Sequence, residues 1–66
     1  MLIFKVVKNK LDICQIGEYN TLDIQKLFDF ICRFESIIEE VEFYNCDISI
    51  CNYIMTYYPE WRMSGC

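Results

Sequence analysis

Ile38-Glu39-Glu40-Val41-Glu42-Phe43-Tyr44-Asn45-Cys46-Asp47-Ile48-Ser49-Ile50-Cys51-Asn52 is the stretch whose reading decides the fold. Residues 41–44 alternate apolar and polar side chains, the period of a half-buried strand. Asn45-Cys46-Asp47 breaks the pattern, and Ile48-Ser49-Ile50-Cys51 resumes it. Laid over the start of the chain, Met1, Phe4, Val6, Asn9, Leu11, Ile13 and Cys14 fall on Ile38, Val41, Phe43, Cys46, Ile48, Ile50 and Cys51. That register predicts two similar strand-turn-strand units, although any two amphipathic hairpins match at period two. The spacing also touches the leucine-rich-repeat pattern, but two copies fall short of the three units a solenoid needs, so stacking is not expected.

Residues 52–58 read two ways. Ile50, Ile54 and Tyr58 would share a helix face, with Asp47 as cap; Ile48, Ile50 and Ile54 would share a strand face, opposite Cys51, Tyr53, Met55 and Tyr57. The β-forming Ile, Tyr, Thr and Cys tip the reading toward strand.

Working outward, residues 1–16 predict a hairpin. Phe4 and Val6 share one face of its first strand, Lys8-Asn9-Lys10 is the turn, with Asn9 tolerant of the left-handed conformation, and Leu11 and Ile13 carry the second strand. A helix is expected over 20–40. Asn20 or Thr21 caps it, Asp23 favours its positive end, and Ile24, Leu27, Phe28, Ile31, Phe34 and Ile38 recur at spacings of three and four. Phe30 and Ile37 widen that stripe beyond what one sheet covers. Pro59 ends the last element, and 59–66 reads as a loose tail.

The expected architecture is therefore α+β: a β-hairpin, one amphipathic helix and a second β-hairpin (ββαββ) in an antiparallel sheet with the helix on one face. The alternative is ββαβα. Residues 1–66 are expected to form a single domain, with the second hairpin, or a strand plus helix, over 41–58.

A chain of 66 residues buries only about 60% of its unfolded surface. With 55% hydrophobic residues it cannot hide all of its apolar area, so part is expected to face a partner. No apolar run has the length of a signal peptide or a membrane span, which predicts a cytoplasmic protein without a membrane partner. The five cysteines form no C-x-x-C pair and read as reduced thiols, Cys66 alone being placed to bridge two chains at the end.

Catalytic signals are missing. There is no histidine, so a Cys-His or Ser-His pair cannot form within the chain, and neither glycine-rich phosphate motif is present. The expectation is no enzyme, no catalytic residue, no cofactor and no metal. Glu35, Glu39, Glu40 and Glu42 form an acidic stretch without a base between Phe34 and Trp61. It reads chiefly as a solubilising face, or as a mimic of nucleic acid that blocks a basic groove. Lys5, Lys8 and Lys10 are too few to favour direct nucleic-acid binding.

Tyr53, Tyr57, Tyr58 and Trp61, with Met55 and Met63, are residue types enriched in interface hot spots. Together with the helix flank at Phe30 and Ile37 they mark the expected protein interface. The sequence thus predicts a small acidic binding protein that modulates or inhibits a larger protein, of a size and composition that phages and mobile elements encode. A structural homodimer is the second reading.

Overall fold

The computed structural model describes residues 1–65. Cys66, and with it the expected bridge between chains, lies outside the described residues. The elements run β1 (Leu2–Val7), β2 (Lys10–Gln15), α1 (Thr21–Phe34), β3 (Glu40–Tyr44), α2 (Ile48–Tyr57) and β4 (Arg62–Ser64). The α+β class holds, with two helices and a four-stranded mixed sheet in the order β1-β2-β3-β4.

The first hairpin forms as its alternation predicts. Met1 and Ile16 exchange both backbone hydrogen bonds, so the ladder begins outside the strands proper. The turn differs in one detail: the left-handed residue is Lys8 (φ 59°) and not Asn9. The Asn9 carbonyl is used elsewhere, accepting from the amides of Glu39 and Glu40 at the start of β3.

The helix α1 opens on a capping box in which Asn20 accepts from the Asp23 amide and Asp23 accepts from the Asn20 amide, both at 3.0 Å. It ends six residues before the expected Glu40, at Phe34. The Phe34 carbonyl accepts from the amides of Ile37 and Ile38 and closes the last turn. Ile38 is then buried and the chain is drawn into β3.

Two corrections concern the second half. Residues 48–57 form a helix, not the second arm of a hairpin, so the antiparallel ββαββ sheet is not the one formed. The residues expected to be a loose tail supply β4. Both follow from pairing: β3 lies parallel to β2, with Leu11 opposite Val41 and Ile13 opposite Phe43, and β4 lies parallel to β3, with Val41 opposite Met63. A parallel neighbour requires a crossover, which is usually a helix. Ile50, Cys51 and Ile54 supply the buried stripe that α2 needs for the role, and this outweighs their β propensity.

The three parallel strands, each joined to the next through a helix, make a short α/β stack. Val41 and Phe43 enter the core, and the Cys46 thiol reaches back to donate to the Ile13 carbonyl on the preceding strand (3.4 Å) and to that of Tyr44 (3.5 Å). β1 closes the first edge of the stack in the antiparallel sense.

Burial alternates along β2 and β3, so one sheet face is covered by both helices. The core joins Leu2, Leu11, Ile13, Val41 and Phe43 of the sheet to Leu27 and Ile31 of α1 and to Ile50, Cys51 and Ile54 of α2, with Trp61 at its end. Among the described residues no helix is long and apolar enough to cross a membrane.

Candidate protein-binding surface

Two surfaces remain once the core is assigned: the helix-free face of the sheet and the outer side of the helix layer. They differ in charge.

On the helix-free face, three rows of side chains cross the strands. Ile3, Cys14 and Tyr44 form one row; Lys5, Asp12, Glu42 and Ser64 the next; Val7, Lys10, Glu40 and Arg62 the third. Most of the charges engage each other. Lys10 Nζ donates to Glu42 Oε1 at 2.9 Å and lies 3.7 Å from Asp12, while Arg62 donates to Glu40 at 3.3 Å. The Glu42 hydrogen bond and charge hold the Lys10 ammonium above its ordinary pKa. Lys10, and after it Tyr44, hold the Glu42 carboxyl below the usual range. Burial, then the bond to Glu42, pushes the Tyr44 phenol up. The charges of this face largely compensate each other, with Ile3, Val7 and Tyr44 exposed beside them.

The outer side of α2 is the opposite case. The chain carries no charged residue from Ile48 to Tyr58. Having buried Ile50, Cys51 and Ile54, α2 presents Ile48 (67% exposed), Tyr53 (46%), Met55 (42%) and Tyr57 (65%) to solvent. Ser49, Asn52 and Thr56 form an uncharged polar stripe between them, with Ile48 and Met55 on one side of it and Tyr53 and Tyr57 on the other. On the flank toward α1, Ile24 and Phe28 meet Tyr53 and Tyr57 in a groove, where Phe28 and Tyr57 pack edge to face with ring centres 5.4 Å apart. The Tyr19 and Ser49 hydroxyls are hydrogen-bonded to each other across the amino-terminal ends of the two helices.

A buried latch fixes α2. The Gln15 side chain accepts from the Asp47 amide at 2.8 Å and donates to the Gly17 carbonyl at 2.8 Å. Asp47 stands at the N-cap, as its sequence position suggests, but its carboxylate makes no cap hydrogen bond. Gln15 satisfies that backbone from the neighbouring strand.

The structure separates the residues expected to form one interface. Tyr53 and Tyr57 lie together on α2. Tyr58 is half-buried and stacks on Trp61 with ring centres 4.2 Å apart, and Trp61 belongs to the core. Burial, with a lesser share from the hydrogen bond to Glu35, pushes the Tyr58 phenol up to about 12. Phe30 packs between Phe4 and Phe34 at the β1 side of α1, and Ile37 is exposed in the turn after it. The acidic residues are likewise dispersed. Glu35 caps the end of α1, Glu39 lies exposed before β3, and Glu40 and Glu42 face their cations on the sheet.

Ile24, Phe28 and Ile48 were not among the expected interface residues. The uncharged run 48–58 is the signal that marks the place, because its solvated side has only Ser49, Asn52 and Thr56 between large exposed apolar side chains. Among the described residues no group of three or more acidic or thiol side chains converges as a metal site would. No protein-family model, curated protein or solved structure matches this chain.

Proposed function

We propose that this chain is a small non-catalytic binding protein that modulates a larger protein through the outer face of α2 and the adjoining groove along α1. The observation that supports this most is the combination on α2 of no charge with four large exposed apolar side chains. Contiguous exposed apolar area marks contact surfaces, and α2 holds more of the large exposed apolar side chains than any other element among the described residues. Tyr53 and Tyr57 bring large amphipathic rings at low conformational cost. The cytoplasm is the proposed compartment, and inhibition is the proposed mode of modulation.

The acidic-mimic reading has less support, because Glu40 and Glu42 are engaged by Arg62 and Lys10. A homodimer on the α2 face is the second reading, favoured by the same exposed side chains. Joint replacement of Tyr53 and Tyr57 by alanine tests the proposal. Partner binding should fall while circular dichroism and the denaturation midpoint stay near the parent values. Undiminished binding by the folded double variant would refute it. Sedimentation separates the second reading: a concentration-dependent dimer that the same two substitutions dissolve would favour self-association.

A further inference from the structure

The two edges of the sheet differ. β4 is three residues long and follows closely on Pro59, and its Arg62 is ion-paired to Glu40. β1 runs six residues without a proline, and its register with β2 is unbroken, so no bulge bends it away. Met1 and Ile16 exchange both backbone hydrogen bonds, and the alternation of an antiparallel ladder then commits Ile3, Lys5 and Val7 to β2 as well. Leu2, Phe4 and Val6 therefore turn their amides and carbonyls outward along the edge. An edge of this length is ordinarily blunted, and the device present on β1 is a single charge, Lys5.

That charge belongs to a larger segregation. Of the six Lys and Arg side chains, Lys10 and Arg62 are ion-paired on the sheet. The other four, Lys5, Lys8, Lys26 and Arg33, are exposed and have no ion pair among the described residues. All four lie around the β1 edge. Lys5 stands on its helix-free side, with Asp12 opposite drawn to Lys10, and Lys8 stands in the turn that ends β1. On the helix side, the Phe4–Phe30 ring contact at 4.9 Å and the Met1 amine 3.9 Å from Asp23 fix which flank of α1 faces β1. At ~100° per residue, Lys26 and Arg33 follow Phe30 on that flank, whereas Asp29 falls opposite the buried Leu27 and Ile31. Asp23 is itself engaged by the Met1 amine and the Asn20 amide.

We infer that the β1 edge takes an extended, acidic segment of another protein as a fifth strand, a contact separate from the α2 face. The ladder engages the amides and carbonyls of Leu2, Phe4 and Val6, while carboxylates meet Lys26 and Arg33 on one side and Lys5 on the other. The same cations choose among occupants. A second copy brings its own β1, with Lys5 and Lys8 and no acid, and meets like charge. A nucleic acid matches the charge but has no strand backbone to match the ladder. An uncharged crosslinking side chain in place of Lys5 or Lys26 removes the recognising charge, so those positions do not capture the segment.

The test adds an acetylated, amidated heptapeptide of alternating glutamate and valine to the isotope-labelled full chain and follows amide exchange by NMR. A lysine-valine heptapeptide and a seven-nucleotide oligothymidylate are the comparisons. Expected is saturation with a Kd of about a millimolar or tighter, and about tenfold or more weaker binding to the folded Lys26→Glu, Arg33→Glu variant. Protection should rise at Leu2, Phe4 and Val6 and stay unchanged at Ile3, Lys5 and Val7, which β2 already protects. Four results would overturn the inference: no gain of protection at saturating peptide, equal binding of the lysine-valine peptide, equal or tighter binding of the oligothymidylate, or undiminished binding by the double variant. Protection at Leu2, Phe4 and Val6 that rises with the concentration of the chain alone would assign the edge to a second copy and overturn it as well. None of these outcomes bears on the α2 reading, which the tyrosine substitutions test.

Discussion

Replacing Gln15 by leucine removes two hydrogen bonds from the buried end of β2 while keeping the side chain about the same size. The Asp47 amide and the Gly17 carbonyl lose their partner. A buried group left without a partner costs about 1–3 kcal/mol. Gly17 is exposed, so its carbonyl recovers a water and stays at the low end. The Asp47 amide, in a part-buried bond, should cost about 2 kcal/mol. Leucine returns about 1 kcal/mol of apolar burial. The net expectation is a loss of about 2 kcal/mol for Gln15→Leu, and about 3 kcal/mol for Gln15→Ala, which lacks that return and leaves a cavity. Against a total stability of roughly 3–10 kcal/mol for a chain of this length, this is a large fraction. Urea denaturation measures it. Hydrogen exchange then locates it, with the first turn of α2 losing protection before β1 and β2 do. A Gln15→Leu variant as stable as the parent would refute the reasoning, as would exchange that rises equally in every element.

Other consequences can be checked with the same protein. The Lys10–Glu42 pair sets a stability window. The depressed Glu42 carboxyl contributes stability that is present above its unfolded pKa and lost as pH falls through the lower folded value. The raised Lys10 contribution is present below the unfolded pKa of 10.5 and lost as pH rises through the folded one. Glu42→Gln should therefore flatten both limbs of a denaturation-midpoint profile, and unchanged limbs would count against the pair. Tyr58 should be the late-titrating phenol, near pH 12, and Tyr58→Phe should remove that step from a phenolate absorbance titration. Since its folded pKa lies above the unfolded value, its contribution is full below about pH 10 and declines toward pH 12. Trp61→Ala should cost about 3–5 kcal/mol because the ring is buried, whereas Tyr57→Ala should cost at most about 1 kcal/mol through its edge contact with Phe28. Comparable losses in thermal denaturation would contradict this division between core and surface.

Much of the first half was legible because its signals are local. The period-two run of residues 2–7 and 11–16 and the Asn20/Asp23 box need only neighbouring side chains to act. The second half depends on partners distant in sequence. Period-two patterns align with one another at many offsets, so residues 38–52 matched the first hairpin although Val41 in fact pairs with Leu11 and Met63. Nothing local in Ile48–Tyr57 distinguishes a helix from a strand, since its N-cap Asp47 makes no side-chain cap bond and is held through its amide by Gln15 on β2. β4 has only three residues and is held from outside, by the Arg62 amide bonding to the Glu39 carbonyl and by the Trp61 ring in the core. Of the expected interface, the tyrosines at 53 and 57 could be seen as large amphipathic rings. That Trp61 turns inward, and that Ile24 and Phe28 join the groove, follows from where α2 crosses the sheet.

Partners are proposed to meet this chain on α2. Site-specific photo-crosslinking tests it most directly, with a benzophenone side chain placed in turn at Tyr57, Met55, Lys26 and Lys5 of the full chain in its native host. A discrete crosslinked product is expected from positions 57 and 55, absent at Lys5 on the helix-free sheet face and at Lys26 on α1. A product formed at Lys5 and missing at both α2 positions would contradict it.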